Sequence, residues 1–253
     1  MNLDAAWMVA FLAVLCRMTA MIMTAPIYGQ VVPLQIRAMF CMVVSVALTP
    51  ALMPFMPPVP QGLGDFAALF FRECTMGLAL GWGVQLLVNC LQMAGAITDL
   101  QIGMASAQVF NPAVGGTASP IANLKVMLGT VLILLLGGHH MMFQAFMESY
   151  RYPSAGLTPS QGMLTLLLQL LFRLLIASVQ IAAPVVGVTI VIDAAASLVN
   201  KAVPQTQPFL ISMPVKICLG LLALMLGLPT LVVAVQRGMD AVFTQIPRLI
   251  GGG

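Results

Sequence analysis

Charge is what this chain has least of. Lysine and arginine together number 10 and aspartate and glutamate 7, so 7% of the 253 residues are charged against 60% hydrophobic. A soluble domain carries about 25% charged residues, and that shortfall excludes a soluble globular protein. The formal net charge of +3 is too small and too scattered to engage nucleic acid, and no polybasic cluster is present for anionic headgroups. No stretch is long and polar enough for a soluble domain, and no Gly-rich nucleotide-binding loop occurs, so any energy input comes from partners or an ion gradient. The alternation over about ten residues that marks a membrane barrel is also missing, whereas the apolar runs are long enough for helices. The expected fold is an all-α integral membrane protein of about six hydrophobic segments, one polytopic unit over residues 1–253.

Catalytic and metal motifs are equally scarce. His139 and His140 are neighbours rather than the i, i+4 pair that lets two imidazoles share one ion, and no HExxH occurs, so no metal is expected. Gly62-Leu63-Gly64-Asp65 matches the GxGD of presenilin-type aspartyl proteases. It falls in a Pro-rich connector, however, and the Tyr-Asp partner needed for two carboxylates to share a proton is missing. No GxSxG nucleophile elbow is found. The five cysteines, Cys16, Cys41, Cys74, Cys90 and Cys218, sit in apolar runs with no metal or disulfide spacing and read as reduced packing residues. The opening carries Asp4 without Lys or Arg, and Arg17 interrupts its apolar run, so it does not read as a cleaved signal. The chain is expected not to be an enzyme and to hold no cofactor.

Apolar helical segments fall at about 5–25, 38–56, 66–94, 126–147, 161–200 and 209–235. Turn chemistry fills the connectors: Pro26 to Pro33, Pro54 to Gly64, Pro153 to Pro159, and Pro204 to Pro208. Segment 161–200 would reach roughly 60 Å as one helix, against a hydrocarbon core of about 30 Å. Pro184 and Gly187 near its middle predict a kink or a helical hairpin, and Pro214, Gly220 and Gly227-Leu228-Pro229 are candidate breaks in the last segment. Asp4, Arg37 and Asp65 favour an external N-terminus, and Arg237 and Arg248 an internal C-terminus. Seven elements, with 161–200 split, would satisfy both.

The charges that do occur inside apolar runs are Arg17, Arg72, Glu73, Arg173, Asp193 and Lys216. Intramembrane charges are costly and are usually paired or water-facing. They read as interhelical ion pairs or snorkelling side chains, with a proton relay as the alternative. Arg72 and Glu73 point about 100° apart on a helix, so each is expected to need another partner. Gly77, Gly81, Gln85, Asn89 and Gln92 form one small, polar helix face that continues to Ala96 and Asp99. This stripe serves either close packing within the chain or an interface with a subunit or channel.

Residues 100–124 carry no charge, yet they contain Gly103, Asn111-Pro112, Gly115-Gly116 and Ser119-Pro120. A lipid-facing helix lacks such a density of breakers. Irregular backbone at membrane depth is tolerated only where protein buries it or where it lines a watery cavity. This stretch, at about 100–124, is the candidate pore-lining or plug-like loop.

Four ordered stretches then resemble one family. Near the start stand Phe11, Arg17, Pro26, Gly29, Val32-Pro33 and Ile36-Arg37. The middle holds QMAGAITDLQIGMASAQVFNP from Gln92 to Pro112, then LLGGHHMMFQAFMESYRYP from Leu135 to Pro153, and VPQTQPFLISMPVKICLGL follows from Val203 to Leu221. In order and spacing these resemble the FliR family, a subunit of the flagellar type III export gate. Asn111 and residues 205–209 depart from the usual flagellar pattern, and the virulence-injectisome homologues share much of it.

The resemblance implies a non-enzymatic subunit of a protein-conducting channel at the flagellar basal body in the bacterial inner (cytoplasmic) membrane. Its implied partners are FliP- and FliQ-type gate subunits, FlhB- and FlhA-type export proteins, unfolded protein substrates and membrane lipid, without nucleic acid. It also implies bent hairpins in place of plain spans. The family's plug maps onto Gly103, Met104, Phe110, Asn111, Pro112, Gly115 and Gly116. Read without the resemblance, a secondary transporter or small channel is the rival, although no internal repeat relates the two halves.

Overall fold

The computed structural model describes residues 5–26, 32–56, 59–104, 119–151, 161–202 and 208–251. Among them the regular structure is entirely helical: α1 (Ala5–Thr24), α2 (Leu34–Leu52) with one 3-10 turn (Met53–Phe55), α3 (Leu63–Ile102), α4 (Pro120–Leu135), α5 (Gly138–Glu148), α6 (Gln161–Ala202), α7 (Pro208–Leu226) and α8 (Leu228–Gly251). The breakers set the boundaries. Pro120 opens α4, where its missing N–H is no loss and its fixed φ suits the first helical position. Gly103, at φ 88°, turns the chain out of α3, and Gly137, at φ 77°, separates α4 from α5.

Helix α1, residues Leu34–Phe55, helix α3 and residues Leu168–Ala202 are each long and apolar enough to cross a membrane. Two helix pairs bent at a short break, α4 with α5 and α7 with α8, bring the number to six. The protein is an all-α integral membrane protein of about six hydrophobic segments, as its composition implies. The bend between α7 and α8 is 51° and falls at Gly227, the last of the three candidate breaks; Pro214 and Gly220 lie within α7, which continues through both.

Of the two expectations for segment 161–200, a kink or a helical hairpin, the hairpin does not occur. Residues 161–202 form one continuous helix of 42 residues with Pro184 inside it. One proline removes a single ladder bond and kinks a helix, whereas reversing the chain would expose several backbone groups. Apolar residues on both sides of Pro184 offer those groups no other partners, so the helix continues. The seven-element orientation scheme, which needed that split, is therefore not realised. Helix α3 is also continuous, over 40 residues, and runs past the expected end near residue 94 as far as Ile102.

The chain divides into two compact units. The first comprises Met1–Leu87, Gly137–Leu171 and Met239–Gly253. Its α1 packs against α2, and Val14, Met18, Met21 and Ile22 of α1 are fully buried, as are Met142 and Phe146 of α5. The second comprises Val88–Leu136 and Phe172–Gly238. Here Ile102, Ile121, Val185 and Ala223 form a buried cluster, with Met104, Val188 and Leu224 packed on its edge.

Candidate functional site

In the second unit the two ends of the uncharged stretch meet. Asp99, in the last turn of α3, is 2% exposed. Its carboxylate accepts hydrogen bonds from the Ser119 hydroxyl, from the Ile121 N–H at 3.3 Å and from the Ala122 N–H at 3.1 Å. Those amides belong to the first turn of α4, which has no partners of its own for them. Ser119 occupies the N-cap position without capping the helix through its side chain. Asp99 therefore does from a neighbouring helix what an N-cap side chain does locally, and its negative charge lies at the positive end of the α4 dipole.

A lysine completes the junction. Lys125, one turn along α4 and 3% exposed, donates to Thr98 Oγ1 at 2.7 Å and to the Ala94 carbonyl at 3.2 Å. Gly95 lets the helices touch, since a Cβ there would collide with the backbone of Ala122. The Gly103 N–H closes α3 onto the Asp99 carbonyl at 3.1 Å, and a side chain at Gly220 of α7 would run into Ile102. We call this junction the neck. Of the plug-like residues read from the sequence, Gly103 and Met104 lie at the neck. Phe110, Asn111, Pro112, Gly115 and Gly116 lie outside the described residues.

The first unit holds a buried ion cluster. Arg17 Nε donates to Glu73 Oε2 at 2.7 Å, and its terminal nitrogen donates to Ser149 Oγ at 2.8 Å. The guanidinium carbon lies 3.6 Å from the centre of the Tyr150 ring, and the Tyr150 hydroxyl donates to Glu73 Oε2 at 3.2 Å. Arg72 also reaches Glu73, with its guanidinium donating to Oε1 at 3.3 Å. Glu73 thus has the further partners expected of it, in Arg17 and Tyr150, but Arg72 and Glu73 also reach each other, which their spacing did not suggest. Their Cβ vectors diverge, but the long arginine stem folds back to the second carboxylate oxygen.

Gly77 and Gly81 lie against α1: a Cβ at Gly77 would strike the Arg17 carbonyl, and one at Gly81 would strike Thr24 and the Met21 carbonyl. Further along the stripe Gln85 is half-buried, and Asn89 and Gln92 are exposed. In the second unit Lys216 of α7 pairs with Asp193 of α6, and Arg173 is exposed. No group of three or more His, Cys, Asp or Glu that could hold a metal occurs among the described residues.

Sequence comparison places the chain in a family. The family model described as "Bacterial export proteins, family 1" matches residues 8–242. This chain belongs to that family. The flagellar biosynthetic protein FliR of Caulobacter vibrioides is 31% identical over 217 residues, covering 85% of this chain and 86% of that protein. FliR of Bacillus subtilis is 26% identical over 233 residues, covering 90% and 89%. The Yop proteins translocation protein T of Yersinia pestis is 24% identical over 185 residues, covering 72% and 71%.

Sequence reasoning missed two features of this family 1 export protein. It bounded the uncharged run at residues 100–124 without joining the charges that flank it, Asp99 and Lys125, across it. The readable signal was the run itself, a charge-free loop bracketed by one acid and one base. It also paired none of the intramembrane charges, so neither the Arg17–Glu73 pair nor the part of Ser149 and Tyr150 in it was read. No periodicity relates residues so far apart in sequence, so only folding reveals that contact.

Proposed function

We propose that this chain is a non-enzymatic subunit of the flagellar type III protein export gate, where it helps form and close a channel for unfolded flagellar substrates. The observation that carries the reading is the family match over residues 8–242, together with FliR relatives aligned over most of both chains. The gate would lie in the bacterial cytoplasmic membrane at the flagellar basal body. FliP- and FliQ-type subunits would complete it, with FlhB- and FlhA-type proteins beside it. The likeness to the Yersinia translocation protein favours a second reading, a gate of a virulence-secretion system.

The closing element in this reading is the stretch between Gly103 and Ser119. Unfolded protein must pass while ions must not. A glycine-rich loop can occupy a lumen in one state and leave it in another, because glycine tolerates large φ/ψ changes. Met104 and Phe110 would supply an apolar constriction that dewets when closed, Asn111-Pro112 a fixed turn, and Gly115-Gly116 the freedom to move. The exposed stripe residues Asn89 and Gln92 are candidates for a subunit interface.

Co-expression with the FliP- and FliQ-type proteins of the same genome, followed by native mass measurement in mild detergent, tests the subunit reading. One large, stable complex containing this chain is the expected result. A chain that purifies alone and carries out substrate-coupled transport would replace the gate with a transporter. Secretion of flagellar rather than virulence substrates through the assembled complex would separate the two gate readings.

A further inference from the structure

Two of the five cysteines meet across α1 and α3 in the first unit, although nothing in their sequence spacing pairs them. The Cys16 thiol reaches the Phe70 carbonyl of α3 at 3.8 Å, the carbonyl that the helix ladder offers to residue 74. The thiols of Cys16 and Cys74 are within hydrogen-bonding reach of each other. A disulfide needs Cα atoms about 4.4–6.8 Å apart, and glycine lets these two helices come that near. A Cβ at Gly77, one turn beyond Cys74, would stand 2.2 Å from the Arg17 carbonyl oxygen. Both cysteines are free and half-buried, which leaves a small reagent access, whereas Cys41 and Cys90 are buried. Their chain neighbours Arg17 and Glu73 form the buried ion pair.

We propose that Cys16 and Cys74 are a redox-active dithiol that closes to an intrachain disulfide and locks α1 onto α3. The oxidant is a small disulfide. One cysteine, as its thiolate, attacks a reagent sulfur, forms a mixed disulfide and releases one reagent thiolate. The other cysteine then attacks the protein sulfur of that mixed disulfide, forms the Cys16–Cys74 bond and releases the second reagent thiolate. The protein gives up two electrons and two protons, and the reagent takes them and leaves as two thiols. While the bridge stands, α1 cannot leave α3 and the Arg17–Glu73 pair beside it cannot open. A dithiol reductant reverses the reaction. None of this depends on the gate reading.

The test uses the full chain in membranes of cells that make it. These are treated with dipyridyl disulfide, the reagent being raised until Cys218, exposed on α7, carries half of it. Free thiols are then blocked with N-ethylmaleimide and the protein is mapped by mass spectrometry without reduction. The expected result is a peptide joining Cys16 to Cys74, lighter by two hydrogen atoms than its separate halves, in most of the chains, and lost on treatment with dithiothreitol. Absence of that peptide overturns the proposal, whether the two cysteines are blocked singly or untouched. Cys16→Ser and Cys74→Ser should each abolish it, and a bridge to a different cysteine in either variant would overturn the pairing. The lock is read separately, by thermal unfolding of the purified chain in detergent. Oxidised protein is expected to unfold about 5–10 °C above reduced protein, a difference that dithiothreitol removes. Equal midpoints would overturn the lock and leave the dithiol standing.

Discussion

Glu73 shows how a single buried charge is made tolerable. Its side chain is fully buried and receives Arg17, Arg72 and Tyr150. Removing one partner of such a group leaves the other charge uncompensated, which costs about 3–5 kcal/mol, whereas replacing the whole pair with apolar residues of similar volume is often neutral. Glu73→Ala is therefore expected to lower the thermal stability of the purified complex by that order, with Arg17 stranded against Ser149. The double variant Arg17→Met/Glu73→Met should lose much less than the sum of the two single changes. Additive losses, measured by thermal unfolding in detergent, would show that the two side chains act independently. Glycine offers the opposite contrast at the same scale. A Cβ at Gly187 meets nothing within 4 Å, so Gly187→Ala in α6 should be neutral or stabilise by about 0.5–1 kcal/mol. Gly81→Val must displace Thr24 and the Met21 carbonyl, and should markedly reduce the amount of folded protein recovered.

At the scale of elements, the helix breaks are where sequence and structure part company. Gly227-Leu228-Pro229 carried the signal that α7 and α8 separate, and they do separate at Gly227. Pro184 carried a similar signal, and α6 runs through it. The difference is physical: a glycine followed by a helix-starting Leu-Pro can end one helix and begin the next, whereas a lone proline among apolar neighbours has only a continued helix to satisfy the backbone around it. The number of hydrophobic segments and the helical class were legible from run length. The joining of Asp99 to α4 left only a coarse trace, the charge-free run bracketed by one acid and one base; the cap itself, supplied by another helix, leaves no local pattern. Gly137 tests the boundary logic. It sits at φ 77° with open space around its Cα, so the conformation alone demands glycine. Gly137→Ala is expected to cost about 1–2 kcal/mol, and Gly137→Asn distinctly less, because asparagine visits the left-handed region more readily. Equal losses in the two variants, read from thermal unfolding, would mean that something other than backbone conformation is responsible.

For the molecule as a whole, the decisive property is how much apolar surface is left uncovered. On α2, Leu34, Ile36, Met39, Met42, Val43 and Val46 are all exposed, and on α6 so are Phe172, Ile176, Val179, Ile190 and Val191. Lipid would cover such faces in a protein that works alone, and neighbouring subunits would cover them in a gate. The two cases differ in what happens when the chain is made by itself. A lipid-covered bundle is complete without partners, whereas an uncovered gate subunit keeps surface and backbone open to local unfolding and proteolysis. We therefore expect this chain, expressed without FliP- and FliQ-type proteins, to be degraded several-fold faster after translation is blocked than when all three are made together. Val43→Asn and Val191→Asn extend the test, since a polar amide is costly in lipid but can find a partner at a helix interface. Loss of the stabilisation conferred by co-expression in one of these variants, with membrane insertion intact, would assign that face to a subunit contact. A half-life unaffected by the partners would mean that the exposed faces meet lipid and that the chain is complete on its own.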